Sequence, residues 1–189
     1  MYKGKMGVFP EKITTFRRLT VNTLYTKVLL YTYPNIESLI DQIDELVEKK
    51  SLSSMDSQEP CIDICNSIIA LIKEKDLYLD LMVILDGIFE DFTEEEMLCI
   101  EYKYFLVRDR VKFRDFDYTS KQYFRRQNKI LEKIKRRLDK RGYDDNFFKE
   151  KFLPIRFFKS LLRGVKEREK HINKNKKAQV QLEDEKAFA

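Results

Sequence analysis

The sequence predicts an all-α protein, and three observations carry that expectation. Gly and Pro number only five and four in 189 residues, whereas charged residues reach 37%. Folds built from many strands need many turns, and so scarce a supply of turn residues favours helices. Apolar residues recur at spacings of three and four over most of the chain, the period of one helix face. With 43% apolar residues, including 14 Phe and 10 Tyr, there is enough to build a core.

Taken in order, residues 1–31 are the least patterned. FRRLTVNTLYTKVLLYTY mixes β-branched and aromatic residues with weak periodicity, and predicts a short helix or an arm packed on the body. From Pro34 the pattern sharpens. Ile36, Leu39, Ile40, Ile43, Leu46 and Val47 share one face, and Glu37, Asp41, Asp44, Glu45 and Glu48 take the other. This helix ends in the polar stretch LSSMDSQEP, after which Pro60 suits the first turn of the next helix.

Ile64, Ile68, Leu71, Lys75, Tyr78, Met82, Leu85, Phe89 and Phe92 then alternate spacings of four and three. A 3.5-residue repeat sustained this far predicts coiled-coil-like pairing. The partner is either the 34–50 helix folded back as an antiparallel hairpin or a second copy of the chain. A break near Glu74–Asp76 would divide the segment into two helices. Thr93-Glu-Glu-Glu96 has the form of a capping box and opens a helix through Met97, Ile100, Tyr104 and Phe105.

A basic, aromatic linker, LVRDRVKFRDFDYT, leads to a helix that starts with Ser120 as N-cap and stops at Gly142. Phe124, Gln127, Leu131, Ile134 and Leu138 are expected to face inward, with Tyr123 and Ile130 at the edge. DDNFFKEKFLPIRFFKSLLRGVKERE predicts two short amphipathic helices broken at Pro154, their Phe side chains closing the core. The polar residues after 171 predict disorder or a frayed helix. The expected organisation is an acidic helical hairpin or coiled-coil-like part (1–92), a helix-turn-helix-like unit (93–142), a Phe-rich helical cap (143–170) and a polar tail (171–189).

Charge is divided along the chain. Residues 1–100 carry ten Lys or Arg against eighteen Asp or Glu, a net of −8; residues 101–189 carry twenty-seven against fourteen, a net of +13. Such asymmetry points to a polyanion for the basic half. It peaks in residues 118–142, where ten Lys or Arg face two acids, Glu132 and Asp139. A helix that is merely solvated mixes signs in i,i+4 pairs.

Lys121, Gln122, Arg125, Arg126 and Lys129 fall opposite the apolar face, in the first turns. Arg reads guanine, Gln reads adenine and Lys neutralises phosphate. Double-stranded DNA is therefore the expected partner. Lys133, Arg136 and Arg137, with Arg108, Arg110 and Arg114 of the linker, would add phosphate contacts.

Catalytic signatures are missing: there is no P-loop, no Gly-rich dinucleotide loop and no Gly-x-Ser-x-Gly. The single His, His171, and the spacing of Cys61, Cys65 and Cys99 do not suit a zinc site. The expectation is a non-enzymatic protein without cofactor or metal. Three cysteines, no apolar leader and no long apolar run predict a cytoplasmic location.

FTEEEMLCIEYKYF, followed by fifteen residues ending at Ser120 and then SKQYFRRQNKILEKI, resembles region four of bacterial sigma factors. It is similar also to the phage-type transcriptional regulators of the ArpU kind. Thr93–Phe105 matches their opening helix, Ser120 their turn serine, and Tyr123-Phe124-Arg125-Arg126 their Ser-x-x-Tyr-Tyr-Arg pattern. No Gly precedes Ser120; Asp117 and Tyr118 stand there. The resemblance covers about residues 92–140. It implies a helix-turn-helix whose second helix enters the major groove, a role in transcription regulation, and RNA polymerase as a further partner. The acidic N-terminal part would then serve polymerase contact or homodimerisation. A second class of function is a helical scaffold or phage-packaging protein that binds DNA without sequence specificity.

Overall fold

The computed structural model describes residues 23–53, 60–105 and 119–187. Every regular element among them is helical: α1 (Leu24–Thr32), a 3-10 turn (Tyr33–Asn35), α2 (Ile36–Ser53), α3 (Cys61–Phe89), α4 (Glu94–Ile100) running on as a π-helical turn (Glu101–Phe105), α5 (Ser120–Lys140), α6 (Asp145–Phe147) running on as a second π-helical turn (Phe148–Phe152), and α7 (Arg156–Ala187). None is long and apolar enough to cross a membrane.

α1 lies at the centre. Val28, Leu29, Leu30 and even Thr26 and Thr32 are buried. The Thr32 hydroxyl is satisfied by donating to the Val28 carbonyl at 2.9 Å. A helix buried over most of its surface needs little polar face, which is why its sequence shows so little periodicity. It packs on α5, α7 and the first π-helical turn, with Tyr25 stacked on Phe148 at 4.3 Å and Tyr31 edge-on to Tyr104 at 4.8 Å.

α2 and α3 pack along each other. Lys75 binds Asp44 at 2.6 Å, and Tyr33 donates to Asp86. As the α3 partner moves up in number the α2-side partner moves down, so the two run antiparallel. Of the α3 repeat, Ile64, Tyr78, Leu85 and Phe89 are buried within the chain. These four side chains of the repeat are turned into the fold, and the other members are half-buried. α3 is continuous through Glu74–Asp76, so the division considered there is absent. Pro60 stands just before the helix as its N-cap residue rather than inside the first turn.

The C-terminal phenylalanines close the core. Phe148, Phe152 and Phe158 are buried; Phe158 lies 4.7 Å from Phe152 and 5.6 Å from Tyr78, ring centre to ring centre. Asp144 caps α6, accepting from the N–H groups of Asn146 and Phe147 at 3.0 and 2.8 Å. The chain turns between Leu153 and Ile155 around Pro154 and re-enters a helix at Arg156. The backbone of α7 continues through the expected tail as far as Ala187.

Candidate nucleic-acid interface

α5 begins one residue earlier than Ser120 would set it. Thr119 is the N-cap: its hydroxyl oxygen accepts from the Gln122 N–H at 3.3 Å, and the Gln122 side-chain oxygen accepts from the Thr119 N–H at 2.8 Å. This is a full capping box. Gln122, expected to meet DNA, has its side-chain oxygen engaged in starting its own helix. At the other end Gly142 takes φ +87°, a conformation open to glycine and costly for other residues. Gly142 N–H then reaches the Asp139 carbonyl at 3.1 Å and Tyr143 N–H the Leu138 carbonyl at 2.9 Å, the bonding of a Schellman stop.

The inward face is the expected one except at its start, where Tyr123 from the edge is buried in place of Phe124. Tyr123, Gln127, Ile130, Leu131, Ile134 and Leu138 are buried, whereas Phe124 is 56% exposed. Both aromatic residues are apolar enough for the core. The choice falls to Tyr123 because Tyr102 meets its ring edge-on at 5.9 Å. Burial raises the Tyr123 phenol pKa well above its ordinary value.

One flank of α5 is neutralised from within the chain. Arg126 pairs with Glu95, Lys133 with Glu96 at 2.7 Å and Arg137 with Asp91 at 3.0 Å. Glu96 is also the N3 acid of the Thr93 capping box, where its Oε2 accepts the Thr93 N–H at 3.2 Å. Burial works to raise its pKa, but the Lys133 hydrogen bond, the Thr93 N–H and the nearby Lys133 and Arg126 charges outweigh it and leave the carboxyl below its ordinary value. Lys133 sits 3.9 Å above the Phe92 ring. Arg137 donates to the Ile88 carbonyl at 2.8 Å, and Arg141 donates to the carbonyls of Ile84 at 2.8 Å and Gly87 at 3.2 Å. These two arginines satisfy carbonyls in the last turns of α3, where the helix dipole favours a cation.

The other flank faces outward. Lys121, Arg125, Lys129, Arg136 and Lys140 are exposed and fall on one stripe by helical spacing, a span of about 28 Å. Among the described residues Arg136 makes a 3.6 Å contact to Glu132 on its own helix. Lys129, Glu132, Lys133, Arg136, Arg137 and Lys140 line an open depression of about 350 Å³ along this side. Exposed Phe124 and Asn128 border the leading half of the stripe.

The eleven residues expected to touch DNA therefore divide. Lys121, Arg125, Lys129 and Arg136 stand together in the open. Gln122, Arg126, Lys133 and Arg137 are engaged within the chain. Arg108, Arg110 and Arg114 lie outside the described residues, as does the linker expected to form the first helix of a helix-turn-helix. Lys140, Phe124 and Asn128 were missed. Lys140 continues the i,i+4 series from Arg136 and could have been found by spacing alone.

Cys61 and Cys65 are exposed and Cys99 is buried. Among the described residues no group of three or more His, Cys, Asp or Glu is placed to hold a metal ion. Comparison with known proteins finds no matching family model, no matching curated protein and no matching solved structure.

Proposed function

We propose that this protein binds double-stranded DNA through the outward stripe of α5. One observation carries the reading: Lys121, Arg125, Lys129, Arg136 and Lys140 share an exposed face, while acids of the same chain neutralise the opposite flank. A helix whose charge served only folding would have no reason to leave five cations aligned with no ion pair to another element among the described residues. Phosphate contact is the main source of affinity. Arg125 and Asn128, one helical turn apart on the leading half, supply groups able to read guanine and adenine edges in the major groove.

The finer reading is a transcription regulator of the sigma region-four-like kind, with promoter DNA and RNA polymerase as partners. It is supported by the motif resemblance over residues 92–140. The engaged Gln122 favours the second class, a helical scaffold that grips DNA without sequence preference, because it removes one base-reading amide.

A mobility-shift titration over a range of salt tests both. With five phosphate contacts, log K should fall against log salt with a slope of about −4.5. Arg125→Ala with Lys129→Ala should reduce that slope by about 2. Unchanged affinity and slope in this double variant would remove the interface. Survival of the complex under excess random duplex selects the regulator, and its loss selects the scaffold.

A further inference from the structure

α3 carries a second apolar seam that is exposed among the described residues. Ile62, Cys65, Ile69, Ile72, Leu79 and Val83 follow spacings of three and four, with Asp76 as the one polar member of the series. All are exposed, Ile62 by 65% and Val83 by 66%. A helix with one face in the core ordinarily turns polar residues outward. Here the outward face repeats every 3.5 residues, the period of a helix that pairs with another helix. It runs for about 32 Å.

The charge around the seam selects what fits it. On α3 itself Asp76 lies in the seam and Asp80 beside it, both exposed, against a single exposed base, Lys73. α2 lies alongside, fixed by the Lys75–Asp44 pair. Its Glu37, Asp41 and Glu48 share the Asp44 side by spacings of seven, three and four, and all three are exposed. An anionic lipid surface would be repelled. A second copy laid on the seam would bring these acids against their own kind.

We propose that this seam is a docking surface for a cationic amphipathic helix of a partner protein. Its apolar stripe would seat on Ile62, Ile69, Ile72, Leu79 and Val83, and its Lys and Arg would meet the carboxylates on either side. The surface belongs to the acidic half of the chain and is separate from α5, so either interface can fail without the other.

The test uses the full-length protein and a labelled synthetic helix about 20 residues long, with Leu at heptad a and d positions and Lys elsewhere. Its binding is followed by fluorescence anisotropy against a scrambled peptide of equal composition. The ordered peptide should bind at least about ten-fold more tightly than the scrambled one. Ile69→Glu with Val83→Glu should weaken it by a similar factor; both sites are exposed, so the fold tolerates them. Asp76→Asn with Asp80→Asn should flatten the salt dependence of binding while leaving the apolar seam intact. Equal binding of the scrambled peptide, or indifference to both pairs of substitutions, overturns the proposal. So does sedimentation as a dimer that the Glu pair dissociates, coupled with no peptide binding, because a second copy then covers the seam.

Discussion

Glu96 shows how one side chain can join two elements. It closes the Thr93 capping box and receives Lys133 of α5 through the same oxygen. Its folded pKa lies below the ordinary 4.5, so its stabilisation is present above that value and is lost as pH falls through the lowered one. Glu96→Gln should therefore unfold at lower denaturant than the parent at pH 7, and the difference should narrow by about pH 4. A gap that stays constant across that range would mean that the carboxylate's charge contributes nothing. Gly142→Ala tests backbone rather than charge. No atom lies within 4 Å of the position a Cβ would take, so the cost is conformational alone, about 1 kcal/mol by chemical denaturation.

At the scale of the element, α5 performs two tasks with one residue type. Arg137 serves the fold, through Asp91 and the Ile88 carbonyl, while exposed Arg125 belongs to the outward stripe. The proposed roles separate by substitution. Arg137→Met should cost about 1–2 kcal/mol of stability, whereas Arg125→Met should stay within about 0.5 kcal/mol of the parent. In DNA affinity the order should reverse, Arg125→Met being the more damaging. Equal losses by both variants in both assays would show that the two flanks are not distinct. The cap of α4 and the stop at Gly142 were legible because caps depend on residues three positions apart. The burial of Tyr123 in place of Phe124 was not: the two are adjacent and similar, and the neighbour that chooses between them, Tyr102, is remote in sequence.

Over the whole molecule one apolar cluster joins α1 through α7, with Phe158 fully buried between Tyr78 and Phe152. Phe158→Ala should cost about 3–5 kcal/mol, read from thermal or chemical unfolding. A loss below about 1 kcal/mol would place the Phe-rich end outside the cooperative unit. The sequence alone determined the all-α class, the inward face of α3 and, apart from the exposed Leu46, that of α2, the Thr93 capping box, the start of α5 to within a residue and the excess of positive charge on α5. Those properties follow from periodicity and local bonding, which reach only a few residues. Tertiary structure alone decided that the weakly patterned 24–32 segment is the central helix, that Arg126, Lys133 and Arg137 are matched by Glu95, Glu96 and Asp91, and that the second seam of α3 is exposed among the described residues. Each of these depends on which distant element lies opposite a side chain, and neither composition nor spacing records that.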